Sequence, residues 1–437
     1  MRQINPLHLD SGYRSPWLSY NALFLYAIIE IVLLYFLILK GPFYTYDSPS
    51  YLLASDYVSK GVPDFFRTPV YPIVYYILHL LCGESWDVAM VLLQTLIFLI
   101  SSIYLVKIGE EFIQKKRIVF WLVTFYLLYP GFSSFACYIM TEIFAVSFLI
   151  FYTWSVLRLL KIKPTLFSLL IPHIWIFLLI FLRPVFIYLI PVDILFLIIL
   201  IYGKRLTPIK SLVSFGYASL VILSVICYRN EVKRLYDISS MSVVTTVNNY
   251  HAIRYARIID PSLTDNPNLK THLDTIDPMT VRTSRDSICD ELGKIYKNVD
   301  FPSIDKYEQA AIKKYPLMLA KGLTFRWGLQ SYQEQAAPNI EWFPGNVLSA
   351  IIAPNMGLYC LLCCIFSIWT IVTWIKKRRC PYHLVILLMI YIGLFLTVMI
   401  GAETSYPRLN LPGFPIFLIV LGKFFSLFKR DYSHTLY

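Results

Sequence analysis

The residues best suited to chemistry lie close together in one early stretch: Asp47-Ser48-Pro49-Ser50-Tyr51, then Ala54, Gly61 and Phe66-Arg67-Thr68-Pro69-Val70-Tyr71-Pro72. A carboxylate such as Asp47 can take a proton from an attacking hydroxyl, and base catalysis is typically worth ~10²–10⁴ in rate. The same residue, placed before Ser-Pro, also suits the N-cap of a short helix running to about Lys60. Both readings hold together, because a capping position anchors a carboxylate. Arg67, Arg183 in Leu182-Arg183-Pro184, and Arg408 in Tyr406-Pro407-Arg408 are the matching cations. The planar guanidinium fork grips phosphate oxygens at two points; snorkelling to lipid headgroups is the alternative for each. Glu142, in Met140-Thr141-Glu142, is expected about seven residues into an apolar run, where an acid must face the bundle or a wet cavity. Tyr51 and Asp56 are secondary candidates near an acceptor, although Asp56 and Asp64 also read as solvated loop charges. Glu30, Asp193 and His173 fall inside apolar runs and read as interhelical hydrogen-bonding groups.

Holding these groups in place falls to a chain that is mostly apolar. Of 437 residues 57% are hydrophobic and 15% charged, and the mean hydropathy is +0.60. A soluble domain carries about 25% charged residues, so this composition describes an all-α integral membrane protein. Apolar runs occur at 18–39, 87–106, 118–130, 135–157, 165–182, 184–202, 209–228, 347–375, 382–400 and 411–428. Most approach the ~20 residues that span a bilayer, which predicts about ten transmembrane helices. The piece from Pro69 to Cys82 is too short to span and reads as interfacial or re-entrant.

The net charge of +12 does not indicate nucleic acid, because its distribution follows topology. Lys115-Lys116-Arg117, Arg158/Lys161/Lys163 and Lys376-Lys377-Arg378-Arg379 fall on one side of a ten-span arrangement. The short connections on the other side hold Lys40, Lys60, Arg67, Arg183 and Arg408. The positive-inside rule then puts both termini in the cytoplasm. The first run lacks a small-residue cleavage site and reads as a signal anchor. Three regions follow: a membrane module at 1–228 with its first outer loop at 40–86, an extracytoplasmic domain at 229–345, and C-terminal membrane helices at 346–437. The outer domain is expected to carry an amphipathic stretch near 229–260, a polar loop at 260–280, and helices near 281–298 and 303–326.

Motifs of soluble enzymes are missing: the sequence has no G-x-G-x-x-G, Walker A, G-x-S-x-G, H-E-x-x-H or D-x-D. Lack of D-x-D argues against a metal-held nucleotide sugar. The eight cysteines form no disulfide framework, and the C-x-x-C-C at 360–364 lies on an apolar run without a His partner. Asn-x-Ser/Thr is absent, which favours a bacterial cytoplasmic membrane over a secretory one.

Asp47, Tyr51 with Ala54, Arg67-Thr68-Pro69 leading to Tyr71-Pro72, Met140-Thr141-Glu142, Leu182-Arg183-Pro184 and Tyr406-Pro407-Arg408 with Leu411-Pro412 resemble the GT-C superfamily of membrane glycosyltransferases. That group includes the protein O-mannosyltransferases and lipid A aminoarabinose transferases. The chain departs from the O-mannosyltransferases in having Ser after Asp47, where they carry an Asp-Glu pair. The resemblance implies a GT-C-like fold with interfacial helices in the first outer loop, and a donor sugar on polyprenyl phosphate. It further implies Asp47 as the base, Arg67, Arg183 and Arg408 on the donor phosphate, and Glu142 as a second acid near the acceptor. The acceptor class stays open between protein, lipid and polysaccharide. No metal ligand is assigned, although one carboxylate plus a phosphate would suffice for a divalent ion.

The expected function is therefore transfer of a sugar from a polyprenyl-phosphate donor to an acceptor hydroxyl on the outer membrane face, with inversion. One rival is a proton-coupled transporter or flippase using Glu30, Asp193 and His173. The sequence speaks against it: 17 glycines occur with none at G-x-x-x-G spacing, and no inverted repeat is seen. A second rival is a glycan ligase or polymerase. The topology makes its own prediction. A membrane-impermeant thiol reagent applied to intact cells should label a single-cysteine variant at Cys289 and spare one at Cys380; the reverse pattern would invert the outer face.

Overall fold

The computed structural model describes residues 28–29, 31–32, 41–45, 47–275, 300–320, 356–378, 381–401 and 410–431. Glu30, Cys289, Cys380, Arg408 and most of the first apolar run lie outside the described residues. Among those described, the regular structure is helical, apart from an isolated parallel bridge between Phe43 and Tyr138. In chain order the helices are α1 (Ser48–Ser59), α2 (Val70–Cys82), α3 (Trp86–Phe112), α4 (Lys116–Leu128), α5 (Glu142–Leu159), α6 (Leu166–Leu182), α7 (Leu189–Tyr202), α8 (Pro208–Tyr236), α9 (Val243–Tyr255), α10 (Pro267–Thr275), α11 (Phe301–Lys314), α12 (Met356–Lys377), α13 (Tyr382–Gly401) and α14 (Phe414–Asp431).

Among the described residues four segments are long and apolar enough to cross a membrane: Val70–Phe112, Glu142–Leu159, Pro184–Tyr202 and Pro208–Tyr236. Leu166–Leu182, Cys363–Lys376, Tyr382–Val398 and Leu411–Lys423 are apolar but shorter. The architecture is thus all-helical with membrane-length helices. Between α2 and α3 the chain turns through a short 3-10 segment, Gly83–Ser85, where Gly83 has φ +55°. That left-handed conformation suits glycine, which has no Cβ to clash. Tyr71 and Pro72 bury one side of α2, while Ile73, Ile77, Leu80 and Leu81 form an exposed apolar stripe at helical spacing.

Helix α5 is the axis of the bundle. It is apolar almost all round and nearly every residue is buried, as expected of a helix enclosed by others. It packs against α3 and α6, and one face contacts the 3-10 turn Leu411–Gly413 that opens α14. Two apolar clusters flank it, one including Tyr71, Phe144, Tyr152, Leu179, Phe186 and Ile390, the other Phe98, Tyr126, Phe132, Ile150, Tyr391 and Ile416. His173 on α6 and Asp193 on α7 form a buried pair, Nε2 to Oδ2 at 3.1 Å, while His173 Nδ1 lies 2.7 Å from the Leu169 carbonyl. They tie the two helices together, as expected for polar groups inside a helical bundle.

The region after 228 has its own small core of Tyr250, Ile253, Leu269, Leu273, Ile304 and Tyr307. Two expectations are corrected here. Helix α8 runs on to Tyr236, because Arg229, Asn230 and Glu231 continue it in polar form and Arg234 pairs with Glu231 one turn back. The stretch expected as a loop at 260–280 contains α10. Asn266 Oδ1 accepts from the N–H groups of Asn268 and Leu269, so the Asp, Asn and Pro residues there form a helix cap.

Packing of α13 against the Pro184–Tyr188 turn is tight at one glycine. A Cβ on Gly393 would lie 2.3 Å from the Tyr188 ring, whereas one on Gly216, exposed on α8, would meet nothing within 4 Å. Gly393→Ala should therefore cost about 1–3 kcal/mol through overpacking. Gly216→Ala should be neutral or stabilising by roughly 0.5–1 kcal/mol, since alanine restricts the unfolded chain. Thermal unfolding of the purified variants in detergent distinguishes the two. Equal melting temperatures would show that the Tyr188 contact yields freely.

Candidate active site

The site begins with backbone pairing. Phe43 N–H donates to the Cys137 carbonyl and Ile139 N–H donates to the Phe43 carbonyl, both at 2.9 Å. This holds residues 137–141 non-helical, and α5 begins only at Glu142 with Thr141 in the capping position. Glu142 is therefore the first residue of its helix, not seven residues inside it. At that end the helix dipole favours a negative charge, yet the side chain is only 1% exposed.

Helix α1 docks on this segment. The buried Ser48 hydroxyl donates to the Ile139 carbonyl at 2.9 Å. Asp47 takes the capping position of α1, but its side chain makes no capping bond. Its Oδ1 instead pairs with Arg67 Nη2 at 2.7 Å. Both sit at the end of α1, with Arg67 14% and Asp47 33% exposed. Arg67 also donates from Nε to Ser50 Oγ at 2.7 Å and from Nη1 to the Tyr51 hydroxyl at 3.4 Å. Its guanidinium stacks 4.3 Å from the centroid of the Tyr51 ring and 5.0 Å from that of Phe66. Such stacking suits the flat guanidinium and would not be matched by lysine.

Asp64 fixes the turn that presents Arg67. It is buried, and its carboxylate accepts from the N–H groups of Phe66 at 3.1 Å and Arg67 at 2.7 Å. Burial pushes its carboxyl up, with those N–H groups and the Arg67 charge acting in the opposite direction. It is not the solvated loop charge expected. Beyond it, the Thr68 hydroxyl donates to the Leu182 carbonyl at 3.0 Å, which joins this turn to the end of α6.

Arg183 follows directly. Because it precedes Pro184 it adopts extended backbone, φ −150° and ψ 119°, and α6 stops there. Its Nη2 lies 2.6 Å from Glu142 Oε1, and its Nε donates to Thr141 Oγ1 at 2.7 Å. Thr141 and the Tyr51 hydroxyl share a further hydrogen bond at 3.4 Å. The two ion pairs, Asp47–Arg67 and Glu142–Arg183, are thus linked through Tyr51 and Thr141 into one partly buried network. Arg183 Nη1 is buried with no hydrogen-bond partner among the described residues.

The structure brings together Asp47, Tyr51, Arg67, Glu142 and Arg183. Asp56 is exposed on α1 away from them, and Arg408 lies outside the described residues. Thr141 and Ser50 complete the network, although both lie in sequence stretches singled out for other members. Among the described residues no group of three or more His, Cys, Asp or Glu converges. The region after 228 reaches the same turn: Ser242 Oγ donates to the Phe66 carbonyl at 2.7 Å, Val243 N–H to the Phe65 carbonyl at 2.8 Å, and the Tyr236 hydroxyl to the Pro63 carbonyl at 2.9 Å.

No protein-family model and no curated protein sequence matches the chain. Among solved structures it is similar to the oligosaccharyltransferase of Archaeoglobus fulgidus. The form tethered with an acceptor peptide containing the NVT sequon gives a TM-score of 0.50 at 12% identity, covering 94% of this chain and 50% of that one. The same enzyme, AglB, in complex with an inhibitory peptide and a dolichol-phosphate gives 0.48 at 12% identity, over 95% and 52%. This chain spans about half the length of that protein. At such identity the likeness concerns the fold alone.

Proposed function

We propose that the chain is a membrane glycosyltransferase that moves a sugar from a polyprenyl-phosphate donor to an acceptor hydroxyl. The observation that carries this reading is the linked pair of ion pairs, Asp47–Arg67 and Glu142–Arg183, set where the first outer loop meets α5 and α6. Each cation sits beside an acid, so the cluster has both halves of the chemistry: donors for a phosphate and an acceptor for a proton.

In the proposed reaction Arg67 and Arg183 bind the donor phosphate. Asp47 takes the proton of the acceptor hydroxyl as its oxygen attacks the anomeric carbon from the face opposite the phosphate. The bond to the phosphate breaks with its electron pair, the configuration inverts, and polyprenyl phosphate leaves. Charge building on that leaving oxygen is stabilised by guanidinium groups already fixed in position. Glu142 holds Arg183 at the correct angle, and Arg408 is proposed as a third phosphate ligand.

The donor is proposed to be a single sugar, hexosyl or pentosyl, with transfer of a preassembled lipid-linked glycan as the second reading. What favours that second reading is the fold shared with an oligosaccharyltransferase at TM-score 0.50, in a form holding an acceptor peptide. It also favours protein among the acceptor classes. A proton-coupled carrier gains little from His173 and Asp193, which are buried against each other between α6 and α7. The enzyme is placed in the cytoplasmic membrane of a bacterium, with about ten spans, both termini cytoplasmic and the cluster on the outer face. The 229–345 domain, which clasps the Arg67 turn, would cover the site or present the acceptor.

Two sets of variants test the roles. Asp47→Asn retains a near-isosteric acceptor for Arg67 Nη2, which keeps its hydrogen bonds to Ser50 and Tyr51, so folding should persist. Transfer of labelled sugar should fall ~10²–10⁴-fold, because an amide cannot take the proton. Near-normal transfer would reduce Asp47 to an anchor for Arg67. Arg67→Ala should lose most activity, while Arg67→Lys should keep a fraction, since lysine restores charge without the fork that meets Asp47, Ser50 and Tyr51 together. Wild-type turnover in both would leave Arg67 a structural residue.

A further inference from the structure

A cavity of about 800 Å³ opens between α3, α5 and α6, at the far end of the bundle from Asp47. Arg158 on its wall lies sixteen residues beyond Glu142 on α5, roughly 24 Å along the axis at 1.5 Å per residue. Its volume falls within the roughly 300–1,000 Å³ usual for sites that take small molecules.

The lining is of two kinds. Ile100 and Ile174 are exposed apolar side chains that line it from α3 and α6. Lys107 and Arg158 place two exposed cations at the opening. Lys107 Nζ lies 4.7 Å from the ring centroid of Tyr104 and 5.8 Å from that of Trp154. Those rings orient the ammonium, and Tyr and Trp are the aromatic residues favoured at a membrane–water boundary. Among the described residues neither Lys107 nor Arg158 forms an ion pair, whereas nearby Lys161 is paired with Glu111 at 3.1 Å. The positive charge at the cavity mouth is therefore not cancelled from within.

We infer that this cavity binds one anionic phospholipid from the leaflet opposite the transfer site. Its phosphate would sit between Lys107 and Arg158, and its acyl chains would run along Ile100 and Ile174. Basic pockets between membrane helices suit such headgroups. A polyprenyl tail would not use two cations, and a free phosphate would not use the apolar wall. The inference does not depend on the reaction proposed at the other end of α5.

The test uses the full chain, purified in detergent and stripped of lipid, then offered phosphatidylglycerol or phosphatidylcholine of matched acyl chains. Retained lipid is counted by native mass spectrometry. Wild type should retain phosphatidylglycerol with a preference on the order of tenfold, and the Lys107→Gln/Arg158→Gln variant should lose that preference. The charge-preserving Lys107→Arg/Arg158→Lys variant should keep it, which separates charge from misfolding. A second readout needs no charge variant: phosphatidylglycerol with brominated acyl chains should quench wild-type tryptophan emission more strongly than that of Trp154→Phe. Equal retention of the two lipids by wild type would overturn the proposal, as would an unchanged preference in the Gln variant. Displacement by inorganic phosphate alone would make this a free-anion site, and displacement by uncharged polyprenol would make it a tail groove; either result also overturns it.

Discussion

Charge brought out of water must be answered by charge close at hand, and the Glu142–Arg183 pair imposes that condition on everything around it. Glu142 is 1% and Arg183 11% exposed, so loss of either partner would strand an ion where neutralising it costs several kcal/mol. Neither side chain can be placed by its own helix alone. Glu142 depends on α5 starting where it does, and Arg183 on α6 ending at Pro184. The short stretch of pairing between Phe43 and residues 137–139 sets the first of these, and the restriction imposed by Pro184 sets the second.

The Arg67 side of the network is held from three directions. Asp64 fixes its turn from within the loop, Thr68 ties it to the end of α6, and Ser242 and Val243 grip Phe66 and Phe65 from the region after 228. The Asp47–Arg67 pair is less buried than Glu142–Arg183, with side chains 33% and 14% exposed. Its geometry is instead a product of these surrounding contacts. That arrangement holds the guanidinium in place independently of the carboxylate it pairs with. It also couples the region after 228 mechanically to the Arg67 turn, so movement of one would be felt by the other.

Much of the helical layout was legible from hydropathy. The runs expected at 165–182 and 87–106 appear as α6 and α3, and 69–82, expected to be short, is a helix of its own. Hydropathy reports where lipid is, not where a helix stops. It therefore gives no sign of the polar extension of α8 to Tyr236, and the apolar run at 135–157 begins seven residues ahead of α5. The candidate residues Asp47, Tyr51, Arg67, Glu142 and Arg183 are legible in the sequence as polar groups near the edges of apolar runs. Their partnerships are not. Arg67 meeting Asp47 across twenty residues, and Thr141 bridging to Tyr51 across ninety, depend on the docking of α1 against the start of α5. No local pattern encodes that contact. Asp64 was misread for the same reason, since a loop carboxylate looks solvated until the backbone N–H groups it collects are seen.

We propose that Arg67 and Arg183 form one binding place for a lipid-linked phosphate. It is tested most directly by titrating polyprenyl monophosphate into the purified chain and following its ³¹P resonance. Wild type should give a saturable shift, Arg67→Ala and Arg183→Ala should each weaken it, and the double variant should abolish it. A shift of the same size and midpoint in the double variant and in wild type would contradict the account.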